Sequence, residues 1–576
     1  MGEIEQDRFG LGRRAFIGGA IGAATGVVLV RNGLGVGIAG ASDHLGGEPF
    51  TLGVASGDPL PDRVVLWTRL APDPLAGGGM PAADVDVTWE VAEDPAFGTL
   101  VASGTDVARA EHAHSVHVDP TGLAADTWYW YRFRAEGYTS PVGRTRTAPA
   151  NDCTVETLRF GFATCQSWTS GFYPAYAHLA EEACDVVLFL GDYIYEGGVG
   201  GASAVRPHNS GEVVTLDEYR NRYALYKGDA NLQAAHAACP WIVTWDDHEV
   251  DNDYAGDQDQ DGGSPEDFLV RRAAAYQAWW EHQPVRLAPP TGPDLQIYRS
   301  FAWGDLASLV VLDGRQYRST QVCEVGPGPV YPTCADRDDL TRSMLGSAQE
   351  AWLGTSLRGS GSTWNVVANQ TVFSAMPLFG LFNMDQWDGY PGAQARLRDL
   401  LAEPEVLNPI VITGDIHAAG VATIPADWAD PASPVIGTEL VTTSISSSFA
   451  SGDLAQLAQD AIGELPYVEY IEVFRRGYTV VDLDHTRMLA TFRVVESALV
   501  PTSPIDTAFE YEVAAVGVAE CEPPPVDPPP TDPPATDPPV TDPPTTVPAT
   551  TTPATTTPAA AAQPAAATRA APRFTG

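Results

Sequence analysis

Val186-Val187-Leu188-Phe189-Leu190 is an unbroken apolar run, and Gly191-Asp192-Tyr193-Ile194-Tyr195 follows it without a spacer. A short run of this kind, closed by a turn signal, reads as a strand, and here a carboxylate and then a phenol stand directly after it. The same grammar recurs along the chain. Strand-like runs at 158–163, 241–245, 309–312, 366–368 and 410–413 are separated by helical stretches, which predicts an α/β core. Pro265–His282 reads as one long helix, with Pro at its start and Ala, Arg, Tyr and Trp through its body.

Almost every run stops at a residue that can bind metal or phosphate. Cys165 follows the first, Asp192 the second, Asp246-Asp247-His248-Glu249 the third, Asp313-Gly314-Arg315 the fourth, Asn369-Gln370 the fifth and Asp415-Ile416-His417 the last. In open α/β sheets ligands collect outside the carboxyl ends of the strands, so these residues are expected in one crevice. A single Asp after a strand is more often a helix cap. Six such groups in chain order on one edge are not accounted for as caps.

Their chemistry sorts into two cation preferences. Thiolate, phenolate and imidazole from Cys165, Tyr195 and His417 suit a transition metal, ferric iron or zinc. Carboxylates from Asp192, Asp247 and Asp415, with the amide of Asn369 as a further candidate, suit calcium, magnesium or manganese. Asp192 is placed to bridge the two, and such a pair would activate a shared hydroxide and clamp a phosphoryl group for in-line attack. His248 has no place in either ligand set and is assigned the protonation of a leaving alkoxide. Asp246 reads either as a ligand or as a support that holds His248 or caps the next helix. Arg315 reads either as a bidentate fork for the substrate phosphate or as a structural ion pair. Glu249, His178 and His236 read as helix or surface residues.

The set Phe160-Gly161-Phe162-Ala163-Thr164-Cys165-Gln166, Leu190-Gly191-Asp192-Tyr193-Ile194-Tyr195-Glu196, Trp245-Asp246-Asp247-His248-Glu249 and Thr413-Gly414-Asp415-Ile416-His417 resembles the PhoD-like phosphatases, and the likeness extends over roughly 50–515. The resemblance implies an α/β (α+β) core of the metallophosphoesterase sandwich type, in a family of alkaline phosphatases and phosphodiesterases with an iron and calcium site related to that of purple acid phosphatases. Carried over residue by residue, it implies Fe3+ at Cys165, Asp192, Tyr195 and His417 and Ca2+ at Asp192, Asp247 and Asp415. Hydrolysis of small phosphate esters is the activity it implies. Two other readings stay open: a surface-attached binding protein with an inert α/β unit, and a related metallohydrolase such as a nucleotidase or a phospholipase.

The flanks frame this core, for which 155–520 is the expected extent. Over 48–150 the pattern is all β, with Val64-Val65-Leu66-Trp67, then Val85, Val87, Trp89 and Val91 alternating, then Tyr129, Tyr131 and Phe133. A small fibronectin- or immunoglobulin-like sandwich is expected there. Residues 1–41 carry Arg13-Arg14, a Gly/Ala-rich apolar stretch interrupted at Arg31, and Ala39-Gly40-Ala41. That resembles a twin-arginine export signal, too short and broken for a membrane span, and predicts an extracellular, periplasmic or cell-surface protein handled by the twin-arginine machinery. Residues 522–576 are Pro-, Thr- and Ala-rich, a disordered spacer with possible cell-surface attachment.

The 576 residues suit two folded units plus tails. With 33 basic against 74 acidic residues and a formal charge of -41, the chain repels polyanions, which argues against nucleic acid as a wrapped partner. Its seven cysteines are an odd number for an exported protein. Cys323 and Cys334 are expected to close a short disulfide, Cys153 and Cys521 are candidates to staple the ends of the second unit, and Cys184 and Cys239 read as buried small hydrophobes. Cys165 is left for chemistry.

Overall fold

The computed structural model describes residues 45–516 apart from 152, 261, 325–329, 431, 450 and 451. The export-signal and tail expectations, and Cys521, lie outside the described residues.

The six runs form strands, but in two sheets rather than one open sheet. Thr157–Ala163, Val186–Phe189 and Trp241–Val243 run parallel within a nine-stranded sheet, whereas Ala307–Val311, Trp364–Ala368 and Pro409–Thr413 run parallel within a seven-stranded one. Alternation decides which side chain goes where. Val186 and Leu188 join Phe160 and Phe162 in a core shared with Leu309, Val311, Val366 and Ile410 of the other sheet. The intervening Val187 and Phe189 point the other way, onto Tyr219, Tyr223, Leu232, Phe268 and Tyr276 of the helices Leu216–Lys227, Ala230–Ala238 and Pro265–His282. Across the molecule Val310, Val367 and Val411 meet Leu353, Leu357 and Leu397 of Gly346–Arg358 and Pro391–Leu401. Both faces of each parallel trio are therefore covered, which is why these runs are continuously apolar.

The helix Pro265–His282 forms as read, with the Ser264 hydroxyl accepting from Asp267 N, Pro at its start, acids in its first turn and His282 in its last. The disulfide Cys323–Cys334 is present, and Cys184 and Cys239 are buried.

The N-terminal β unit is not self-contained. A five-stranded antiparallel sheet built on Val85–Ala92, Leu100–Ala108 and Trp128–Ala135 packs Val87, Val91, Tyr131 and Phe133 onto Val54, Leu66, Val116 and Val118. Those partner residues lie on Val54–Leu60, Arg63–Arg69 and Ser115–Val118, which belong to the nine-stranded sheet through the parallel contact Gly57↔Trp241. At its other end that sheet is completed by Arg476–Asp484, Arg487–Val495 and Ile505–Ala514, all antiparallel. No helix among the described residues is long and apolar enough to cross a membrane.

Candidate active site

Because the two parallel trios stack with their carboxyl ends on one side, the loops after all six strands meet there. The turns are tight. Cys165, Asp192, Asp415 and His417 all have left-handed backbone, at φ 55, 59, 65 and 59. Non-glycine residues are held in that region only where the surroundings over-determine them, and such strain gathers at functional sites. Gly191 (φ 113) and Gly414 make the close approach feasible, since a Cβ would come within 2.5 Å of Asp246 N at the first and of Thr164 Oγ1 at the second. The crossing backbones are tied by Cys165 N to Gly191 O and Gln166 N to Asp192 O, both 3.1 Å.

Buried acids pin the loops from below. Glu249, fully buried, accepts Asp192 N (3.0 Å), Tyr193 N (2.6 Å) and Asp246 N (2.9 Å), so one carboxylate joins the loops after two strands. Burial pushes its pKa up to about 8, yet three N–H donors on two oxygens are the geometry of the ionised form. The expectation of a helix or surface residue is corrected here; His236 is a helix residue as expected, on Ala230–Ala238, and is buried with Nε2 2.8 Å from the Tyr193 hydroxyl and its ring stacked on Trp241. His178 is a half-buried helix residue 2.8 Å from Ser503 O.

Three groups of potential ligand atoms lie on this floor, each with its atoms within 4.8 Å of one another: Cys165, Asp192 and His417; Asp192, Asp247 and His248; Asp246, Asp247 and Asp415. The first is the soft set read from the sequence. Tyr195 joins it, its hydroxyl donating to Asp192 Oδ2 at 2.9 Å and standing 3.2 Å from His417 Nε2. His417 Nδ1 faces the carbonyl of Ser448 at 3.1 Å, and a carbonyl only accepts, so Nδ1 carries the proton and Nε2 keeps a lone pair for the site. Burial pushes the His417 pKa down to about 4, which keeps the ring neutral.

The residues fit cations. Asp192 Oδ1, Asp246 Oδ2 and Asp247 Oδ1 are buried oxygens without a hydrogen-bond partner, the state of an acceptor reserved for something other than protein. Burial first, and then neighbouring carboxylates, push Asp415 and the Cys165 thiol well above their usual pKa, and Asp192 follows although His248 opposes it. Ionising them together calls for more positive charge than the protein supplies.

That protein charge is mainly Arg315. It is fully buried, with Nε 2.5 Å from Asp246 Oδ1, Nη1 2.7 Å from Asp385 Oδ1, and Nη2 3.5 and 3.7 Å from Asp247 and Asp415. Enclosed this way, Arg315 is the structural ion pair of the two readings rather than an open fork for a substrate. Burial raises the Asp247 pKa, but Arg315 and His248 outweigh it and hold the group below the usual carboxylate range. Asp246 stands at about 6, raised by burial against the pull of Arg315. It offers an oxygen to the cluster and anchors Arg315, a partner the sequence did not indicate, rather than His248.

His248 departs from expectation in one respect. The sequence places it outside both ligand sets, but its imidazole sits within the Asp192 and Asp247 group. Glu196 Oε2 accepts from its Nδ1 at 2.7 Å, and Tyr195 lies 4.1 Å from it, ring centroid to centroid. Burial disfavours its charge, but Glu196, Asp192 and Asp247 together hold its pKa well above the ordinary value. Asn369 departs too. Its Nδ2 donates to Thr371 O and its Oδ1 accepts Trp387 Nε1 at 3.1 Å, so the amide ties loops together instead of presenting a free oxygen. Asp313 closes an Asx turn by accepting Arg315 N and Gln316 N. Missed from sequence were Gln386, which donates to Asp415 Oδ2 at 3.0 Å, and Ser447, 2.7 Å from the Tyr195 hydroxyl. Neither carries a local signal. Glu196 and Glu249 sit within the quoted motifs, but nothing in the sequence shows that these acids accept His248 Nδ1 and three backbone N–H groups.

The PhoD-like phosphatase family model matches residues 160–492, and the model of the PhoD-like phosphatase N-terminal domain matches 37–149. Alkaline phosphatase D of Bacillus subtilis (strain 168) is 44% identical over 521 residues, 88% of either chain. The solved structure of PhoD superposes with a TM-score of 0.78 at 44% identity, covering 83% of this chain and 94% of that one. With the clustered thiol, phenol, imidazole and carboxylates lying inside the matched region, this chain belongs to the PhoD-like phosphatase family.

Proposed function

We propose that this phosphatase hydrolyses phosphate esters under alkaline conditions, outside the cytoplasmic membrane, with two kinds of cation on the floor just described. The observation that carries the reading is the convergence of Cys165, Asp192 and His417 with the Asp246, Asp247 and Asp415 group, joined through Asp192 and Asp247. Cys165, Asp192, Tyr195 and His417 would hold Fe3+, and Asp192, Asp247 and Asp415 would hold Ca2+; zinc, manganese and magnesium are the substitutes the donor set admits. When bound, the cations would supply Lewis acidity to the phosphoryl oxygens and ease deprotonation of an attacking water.

The chain's own residues do the rest. Glu196 fixes the ring of His248 through Nδ1, leaving Nε2 to give a proton to the departing alkoxide. Arg315 and Asp246 hold the carboxylates in register without meeting the substrate. Cys165 and Tyr195 are anionic donors that would soften the Lewis acid they hold, so turnover should rise toward alkaline pH. In finer outline we read a metallophosphoesterase sandwich over 155–520, a fibronectin- or immunoglobulin-like unit over 48–150, a twin-arginine signal over 1–41 and a surface spacer over 522–576. A binding protein with an inert α/β unit is not favoured, because the chain is 44% identical to alkaline phosphatase D over most of its length.

The test is metal analysis and ester hydrolysis on protein exported by its own pathway, beside Cys165→Ala. The parent should contain iron and calcium and work best above pH 7, while the variant should lose its iron and at least a hundredfold in rate. Full activity without that thiol, or an optimum clearly below neutrality, would sink the assignment.

A further inference from the structure

Tyr195 and His248 also border a space beyond the cluster of potential ligand atoms. There they form one wall of a cavity of about 430 Å³, the size range of small-molecule sites, whose other wall is the run Gly197-Gly198-Val199-Gly200. That outer wall is nearly bare of side chains, and Val199 is half exposed. It is held from behind. Arg222, fully buried, donates to the carbonyls of Tyr195, Gly197 and Gly211, and His208 Nδ1 reaches Gly197 O and Gly198 O at 3.0 and 2.9 Å. The strap is thus a built feature rather than a loose loop.

The charge of the lining is unusual for an enzyme that handles phosphate. Among the described residues that line it there is no Lys or Arg. Its charged groups are Glu196 and His248, which pair with each other at 2.7 Å. His208, pushed by burial to a pKa of about 4, is neutral, and Arg222 is engaged by carbonyls behind the wall. A second anionic group on a substrate would find only His248, whose charge is already paired with Glu196. An apolar ring would find Tyr195, the glycine backbone and Val199.

We propose that this cavity receives the alcohol portion of the ester and selects an uncharged, ring-sized leaving group over one that carries further negative charge. The inference rests on the phosphatase reading of the adjoining floor. In the reaction water oxygen bonds to phosphorus and gives up one proton to solvent, the ester P–O bond breaks, and the alcohol oxygen takes a proton from His248, which solvent then reprotonates, so the neutral alcohol is released against Tyr195 and Val199.

Benzyl phosphate and 4-carboxybenzyl phosphate separate the possibilities, because their leaving groups are matched in reactivity and differ by one distal carboxylate. On the metal-loaded full chain at low ionic strength, kcat/KM should be about tenfold higher for the benzyl ester. Val199→Arg should narrow that gap to about threefold or less. Val270→Arg makes the same charge change on an exposed helix position outside the lining and should leave the gap as it is. Equal kcat/KM for the two esters in the parent overturns the inference alone, as does a gap that both variants narrow alike. No turnover of either ester overturns the phosphatase reading and the inference with it.

Discussion

His248 is held from two directions, by the Glu196 carboxylate at Nδ1 and by the face of Tyr195. An imidazole oriented this way keeps its proton where a leaving oxygen can take it. General acid help is worth roughly a hundredfold to ten-thousandfold, and least for leaving groups that are already acidic. His248→Ala should therefore retain the metals, lose that range of activity on alkyl phosphates, and lose distinctly less on a nitrophenyl ester. Parallel kinetics on both substrates with metal analysis decide it. Equal losses with metals intact would make His248 a phosphate binder, and loss of metal would make it a ligand, as its place beside Asp192 and Asp247 permits. Sequence alone singled out this residue by elimination. The contacts that orient it come from Tyr195 and Glu196, some fifty positions away, and only their side-chain geometry assigns them the task.

Loops after neighbouring strands are joined by buried side chains that accept backbone N–H groups. Glu249 does this for the turns at Asp192, Tyr193 and Asp246, and Glu439, on the strand Val435–Val441, does it for Phe373 N, Ser374 N and the Thr413 hydroxyl. Gln370 adds a third tie by accepting Gly314 N and donating to Leu312 O. Such anchors hold left-handed backbone that would otherwise relax. Glu249→Gln replaces one acceptor oxygen by an amide that faces N–H donors, so a buried donor goes unsatisfied. A loss of about 1–3 kcal/mol in denaturant stability is expected, together with weaker cation affinity. Unchanged stability and unchanged metal content would show that the loops hold without it. The strands themselves were legible as apolar runs to within a few residues, because burial on both faces writes itself into consecutive positions. The clamps were not, since a single acid after a strand looks the same whether it faces water or three amides.

At the scale of the whole molecule, Lys227 ends the helix Leu216–Lys227 and lies buried where the N-terminal strands meet the catalytic sheet, with Nζ 4.2 Å from the ring of Trp67 and 5.2 Å from that of Tyr193. Burial pushes its pKa down to about 7 from 10.5. The unfolded chain then binds one more proton than the folded one between those values, so stability rises with pH across that window, by at most about 1.4 kcal/mol per unit, and is flat below it. Lys227→Met should be the more stable form near pH 7 and should lose that slope. Unfolding free energies at pH 7, 8, 9 and 10 for both proteins measure it, and parallel curves would refute a neutral buried lysine. What the sequence by itself determined is local: the apolar runs that become strands, the ligand types that follow them, the long helix and the short disulfide. Each depends on residues close together along the chain. Only the tertiary structure decided that the six runs divide between two stacked sheets, that the N-terminal strands extend one of them, that Arg315 is enclosed by Asp246 and Asp385, and that Asn369 is tied to Trp387. Those outcomes rest on packing and charge pairing between segments far apart in sequence, where side-chain type is compatible with several partners and shape and burial select one.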